Sequence, residues 1–404
     1  MTSVIFSTQV FSYLLQLKIK IWTAALFSIL ILALPAFSVY FSWSATAEIP
    51  LLLILNFFAG YKLLKAIKVK RKQILNYCLV LCIVLICLFF YQPAAMAFLL
   101  PPIILMIFKN EFELNHWVKI LFFTMVCFAV YFISFKTMLQ AFEIEPSERT
   151  TLNLLSLPKK IAKFFFFEIR ILLQNSGFLV GSIISFIIGT ICFFGFLYVK
   201  YFKEKVSLFY IFAAILILPL SYAPNILSSQ DYFSMRTIAP TAIIILFYQL
   251  YFVQYFIKKE SKTKFVIIIP ILLLVLSAYN LNSYICNIQA IEYKTLKMNF
   301  EKFDIKPNEN FSMIRPERNF LEKNEIINRR FSTEFGCLSS VNDWSAPYLF
   351  CQLKWENSRN LDKSEEFFSP KNISIYSESE AYKIKPQEKI INLVALFKTS
   401  FSVN

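Results

Sequence analysis

The sequence predicts an α-helical polytopic membrane protein that ends in a small α+β domain. Three observations carry this. Hydrophobic residues make up 57% of the 404 positions and charged residues only 17%, against about half and a quarter in soluble chains. The excess is gathered in runs long enough to cross roughly 30 Å of hydrocarbon. Short lysine-rich segments separate alternate runs. In lipid a helix satisfies its own backbone, so the runs read as helices.

Taken in order, residues 1–20 form an amphipathic lead-in ending in Lys18 and Lys20. This segment has no basic n-region and no small-x-small site, so it does not read as a cleavable signal peptide. Roughly nine spans follow, judged by length and hydropathy. They cover 21–43, 49–67, 74–91, 94–108, 118–138, 177–199, 206–222, 238–257 and 265–283. The fourth is short and carries Pro101-Pro102, which predicts a break or a re-entrant turn. The boundaries divide the chain into a membrane domain, 1–283, and a soluble domain, 284–404.

Loop charge orients the spans. Lys62, Lys65, Lys68, Lys70, Arg71 and Lys72 crowd one connection. Lys109 and Lys119 mark the next alternate loop, then Lys200, Lys203 and Lys205, then Lys258, Lys259, Lys262 and Lys264. With nine spans these loops share one side. The positive-inside rule makes that side the cytoplasm, with the N-terminus there and residues 284–404 outside. The expected location is a bacterial inner membrane. A net charge of +15 is accounted for by these loops. No basic and aromatic constellation on a polar scaffold points to nucleic acid, so the expected surroundings are the lipid bilayer.

Two other long stretches fall outside. In 139–176, Glu143, Glu145 and Glu148 precede Lys159 and Lys160, and then 161–174 alternates apolar runs with Lys163, Glu168 and Arg170. This reads as a helix lying in the interface, apolar face down. Residues 223–237 are polar and contain Pro224. In the tail, strands are expected at 311–314, 373–376, 382–384 and 390–396.

Of eight cysteines, Cys78, Cys82, Cys87, Cys127 and Cys192 lie in apolar runs, where a small hydrophobe is ordinary. Cys337 and Cys351 could pair in an extracytoplasmic tail. No CxxC occurs, so no zinc site is predicted. His116 is the single histidine. It falls at the cytoplasmic interface, which argues against histidine-based acyl transfer outside.

Polar groups beside spans are the candidates for chemistry, because burying them in lipid is costly. Asp231, Tyr232 and Arg236 stand before the eighth span. Arginine suits phosphate oxygens; the plainer alternative is a local pair with Asp231 or a side chain snorkelling to headgroups. Tyr91 and Gln92 open a short hairpin, where Gln92 either bonds a glycan or sits in a tight turn. Lys159 and Lys160 suit a lipid-linked phosphate or simply anionic headgroups. Glu48, Glu143 and Asp231 are the candidate catalytic carboxylates, since deprotonating a hydroxyl needs a carboxylate in reach; Glu48 and Glu143 also read as solvated surface acids. In the tail, Asp343 and Trp344 could bond and stack on a sugar, or anchor a loop.

Tyr91-Gln92-Pro93 opening a span, Pro224…Arg236 before a later one, and Arg330-Phe331…Glu334-Phe335-Gly336…Asp343-Trp344 in the tail resemble features of polytopic glycosyltransferases of the GT-C type. The nearest likeness is to the GtrII-like glucosyltransferases that modify O-antigen. The resemblance covers most of the chain and is carried chiefly by architecture. It implies transfer of a hexose, glucose in that family, from a polyprenyl-phosphate donor to a cell-surface polysaccharide such as lipopolysaccharide O-antigen. It also implies a carboxylate in the first outer loop, as base or as ligand to a divalent metal ion. This sequence departs there, offering only Glu48. The competing functions are a transporter or flippase of lipid-linked glycans and an O-antigen polymerase. A transporter calls for midplane polar residues and internal repeats, and the spans carry almost no midplane charge.

Overall fold

The computed structural model describes the chain except residues 43–45, 47, 69–72, 112, 146–150, 154, 176–182, 231–232, 257–267, 304–309, 327–336, 343–344, 361–372, 386–388 and 402–404. Two compact units divide it, Met1–Ala278 and Tyr279–Asn404.

The first unit is helical. Its helices are α1 (Thr2–Gln16), α2 (Ile21–Leu32), α3 (Pro35–Ser42), α4 (Ile49–Lys68), α5 (Gln73–Ala95), α6 (Leu100–Lys109) and α7 (Leu114–Ala141). After them come α8 (Leu157–Lys163), α9 (Ile169–Asn175), α10 (Ile183–Tyr198), α11 (Leu208–Ser221), α12 (Ala223–Leu227) and α13 (Ala239–Phe256). A further helix, Ile268–Leu281, runs across the boundary between the units.

Among the described residues, six helices are long and apolar enough to cross a bilayer, or seven if α2 and α3, bent by 59°, make one span. Nine were expected; two differences bring the count to seven, and the bend between α2 and α3 brings it to six. The expected span at 206–222 forms only the 14-residue α11. The third and fourth form one unbroken run, Gln73–Lys109. That run is not one rod. At Tyr91 the backbone turns extended, with φ −157° and ψ 94°. Lys68, at the end of α4, pairs with Glu111, just beyond α6. A straight helix of that length would carry Glu111 about 55 Å away, so the chain must double back at Tyr91. The break predicted at Pro101-Pro102 lies earlier, in a 3-10 turn at Met96–Leu99. The two prolines fill the first turn of α6, where no amide donor is needed.

The lead-in also differs from expectation. Residues 1–17 hold no charge, and α1 packs into the core instead of lying on a surface. Phe6, Val10 and Leu14 are buried. Ser7 Oγ donates to Ser28 O at 2.7 Å, Tyr13 OH to Pro101 O at 3.1 Å, and Phe6 stacks on Phe37 at 5.9 Å. These contacts lay α1 antiparallel against α2. The helix α13 is the most buried of the long ones, at 72%. Phe122, Met125, Phe209 and Leu216 remain exposed on the surface, as helices solvated by lipid would leave them.

Side-chain bonds sort the connections onto two ends. At one end Lys68 meets Glu111, Asn110 Nδ2 donates to Glu204 Oε2 at 2.8 Å, and Gln254 Nε2 donates to Thr23 Oγ1 at 3.0 Å. The ends of α4, α6, α10 and α13 therefore gather with the start of α2, and the lysine-rich loops leave from here. At the opposite end, among the described residues, Leu152 meets Ser228 and Tyr40 meets the Arg236 carbonyl.

In the second unit, Asn287–Phe300 is a helix, followed by β1 (Phe311–Arg315), β2 (Ile373–Ser377) and β3 (Lys389–Asn392). The strands are parallel, in the order β2-β1-β3. Phe311, Met313, Ile391 and Phe397 lie in its core. Glu292 is buried and accepts the Ser339 and Ser340 amides, each at 2.8 Å. The strand expected at 382–384 is a 3-10 helix, Glu378–Lys383, because Ser377 and Glu380 form a reciprocal cap. The strand expected at 390–396 stops at Asn392, whose Oδ1 accepts the Ala395 amide at 3.0 Å and opens the helix Leu393–Phe401. No disulfide joins Cys337 to Cys351.

Candidate functional site

The end opposite the lysines is assembled from four connections. Leu152 bridges Ser228 in antiparallel fashion, and the Ser229 amide donates to Thr151 O at 2.8 Å. Lys160 Nζ donates to the Ser228 carbonyl. These bonds hold the helical run formed by α8, a π-helical turn at Phe164–Glu168 and α9 beside α12.

One face of that run is buried. Phe164, Glu168, Ile169, Leu172 and Leu173 point inward, while Phe166 is 81% exposed. The expected interfacial helix is thus two-faced, and the inward face packs on protein. Phe164 stacks on Tyr222, centroids 5.5 Å apart, and Phe167 meets Phe233 edge-on.

Tyr222 is the hub. It is buried, its carbonyl accepts the Asn225 amide at 3.1 Å, and Asn225, Thr237, Glu168 and Tyr91 are its neighbours. Beside Tyr91, Gln92 Nε2 donates to Tyr131 OH. Tyr131 in turn packs on Phe89 and Phe135. Arg236 is half-buried in a 3-10 turn, Met235–Ile238, next to Thr237. Its carbonyl accepts Tyr40 OH at 2.8 Å, which ties the end of α3 to this turn. Ser221 and Thr241 hydroxyls meet at 2.8 Å and join α11 to α13 just beneath.

Of the residues expected from sequence, Tyr91, Gln92, Lys160 and Arg236 come to this end. Lys160 does so as a tie between loops, its ammonium on backbone carbonyls. Lys159 is exposed. Glu48 is exposed, and Glu143 sits exposed in a left-handed turn with φ 53°. Among the described residues, no hydrogen bond or ion pair joins either carboxylate to the cluster. Asp231, Tyr232, Asp343 and Trp344 lie outside the described residues, as does the tail stretch 327–336. The carboxylate that does reach the cluster is Glu168, 5% exposed. Its signal in the sequence was register: it stands four residues from Phe164 and four from Leu172, inside an apolar stripe. Among the described residues no three His, Cys, Asp or Glu side chains gather.

The lysine-rich end is closed by a second polar cluster. Lys200 is fully buried. Its ammonium donates to Ile107 O at 2.6 Å, Asn110 Oδ1 at 2.7 Å and Glu204 Oε2 at 3.0 Å, and it lies 3.9 Å from the Tyr251 ring centroid. Tyr251 OH donates to Glu204 Oε1 at 2.6 Å. Tyr210 OH donates to Met106 O at 3.0 Å.

No protein-family model, curated protein or solved structure matches this chain.

Proposed function

We propose that the membrane unit is a glycosyltransferase of GT-C-like architecture in a bacterial inner membrane. It moves a hexose, glucose by the family likeness, from a polyprenyl-phosphate donor to a cell-surface glycan such as O-antigen. The observation that carries this is the convergence of Tyr91, Gln92, Tyr222 and Thr237, with Arg236 adjoining, at the end away from the lysines. With the lysine-rich end in the cytoplasm, this cluster faces outward, where a lipid-linked donor presents its sugar. The sorting of connections onto two ends supports the nine-span count, with the doubling back at Tyr91 supplying the extra crossing. The turn before α2 stays on the cytoplasmic side, while α1 itself lies in the bundle. The C-terminal unit is outside.

In the reaction, the acceptor hydroxyl attacks the anomeric carbon as the bond to phosphate breaks. Arg236 would stabilise the negative charge developing on the leaving polyprenyl phosphate. Gln92 and the tyrosines would hydrogen-bond the hexose. Asp343 and Trp344 stay candidates for the acceptor glycan. A transporter would need to open at both ends. The buried network around Lys200 joins α6, α10 and α13 at the inner end, which favours an enzyme.

The test is a transfer assay in vesicles carrying the full chain, with polyprenyl-phosphate glucose labelled in the sugar and cell-surface glycan as acceptor. Wild type should move label, and Arg236→Ala at equal protein level should lose about 10²-fold or more, the scale of one removed charge stabiliser. If labelled lipid-linked glycan crosses the membrane while no donor is consumed, the protein is a transporter.

A further inference from the structure

We infer that Glu168 is the general base of this transferase, a role that rests on the function proposed above. Of the residues expected to supply the base, Glu48 and Glu143 are exposed and make no bond to the cluster among the described residues, and Asp231 lies outside the described residues. Glu168 is buried on the inward face of the run from α8 to α9. It closes a π-helical turn that begins at Phe164. Such turns recur at functional sites because they re-aim side chains out of the α register. Phe164 stacks on Tyr222, so Glu168, one turn further on, is held against the same hub. Glu168 and Tyr91 are both neighbours of Tyr222. The carboxylate therefore stands where the elements of the cluster meet. Burying an acid on an apolar helix face is unfavourable unless its surroundings answer it. A merely solvated acid would have stood on the other face, beside exposed Phe166 and Phe167.

The Glu168 carboxylate takes the proton of the acceptor hydroxyl. The hydroxyl oxygen bonds to the anomeric carbon as that carbon's bond to the phosphate oxygen breaks. The electron pair leaves with polyprenyl phosphate, whose charge falls to Arg236. No oxidant, nucleotide or metal is needed for this balance.

The experiment uses the full chain in vesicles and reads two quantities for each variant. One is transfer of labelled glucose from polyprenyl-phosphate glucose to cell-surface glycan. The other is photocrosslinking by a benzophenone-bearing polyprenyl phosphate, which reports donor binding. For Glu168→Gln, transfer should fall about 10²–10⁴-fold, the range for losing a general base, with crosslinking unchanged. Glu168→Ala should regain transfer when formate or azide is added, which a purely structural residue would not show. Glu168→Gln with transfer within threefold of wild type would overturn the assignment while leaving the transferase function intact. So would joint loss of crosslinking and transfer without rescue of Glu168→Ala. A wild-type protein that consumes no donor would overturn both.

Discussion

Lys200 has no exposed surface, yet its ammonium meets three oxygens and an aromatic face. Arginine or lysine at the end of a span usually snorkels to water; here the neighbours take the place of water. Removing one partner of a buried pair leaves the other charge uncompensated, at a cost of about 3–5 kcal/mol, whereas replacing both is often close to neutral. Lys200→Met should therefore lower the melting temperature of the detergent-purified protein more than Lys200→Met with Glu204→Met does. Equal melting for single and double variants would show that the pair is not coupled. Glu204 adds a pH dependence. Burial alone would raise its carboxyl, but hydrogen bonds from Tyr251, Asn110 and Lys200 outweigh that and hold it below the ordinary value. A depressed folded-state pKa contributes stability above the unfolded value of about 4.3, and loses it as pH falls through the folded value. Melting should thus drop on acidification below that point, and Glu204→Gln should flatten the drop.

At the scale of elements, the doubling back at Tyr91 needs close packing against α4. A Cβ added at Gly60 would stand 2.0 Å from Phe98 O and 2.9 Å from Pro101 Cδ. The backbone there cannot yield without moving α6, so Gly60→Ala should destabilise by about 1–3 kcal/mol, the usual cost of overpacking. Gly195 is tight as well, at 2.3 Å, but against the ring of Phe252, which can rotate away. Gly195→Ala should cost less, and chemical denaturation of the two variants side by side checks the order. Much at this scale was readable beforehand. Long apolar runs announced α4, α7, α10 and α13, and short apolar runs between turn residues announced β1 and β2. What misled was local chemistry. The Ser377 and Glu380 cap turned an expected strand into a helical turn, and an uncharged first helix joined the core because nothing in it requires water.

For the whole molecule, orientation is the property to test. In a cysteine-free background, a membrane-impermeant maleimide added to intact cells should label Ser379→Cys and Glu143→Cys, both exposed. Lys205→Cys, exposed at the lysine-rich end, should react only after permeabilisation. Labelling of Lys205→Cys in intact cells would invert the molecule and place the Tyr222 cluster inside. That the chain is a helical membrane protein, which alternate loops carry the lysines, and that Tyr91, Gln92 and Arg236 stand beside spans could all be read from the linear chain. Length, hydropathy and charge are properties of contiguous residues, so they need no fold to be read. Packing, by contrast, buries Glu168 one turn from the Phe164–Tyr222 stack, leaves Glu48 and Glu143 exposed, and seats Lys200 at the other end. These depend on contacts between segments far apart in the chain. Such contacts arise from packing one apolar face against another, and no local pattern records which faces meet.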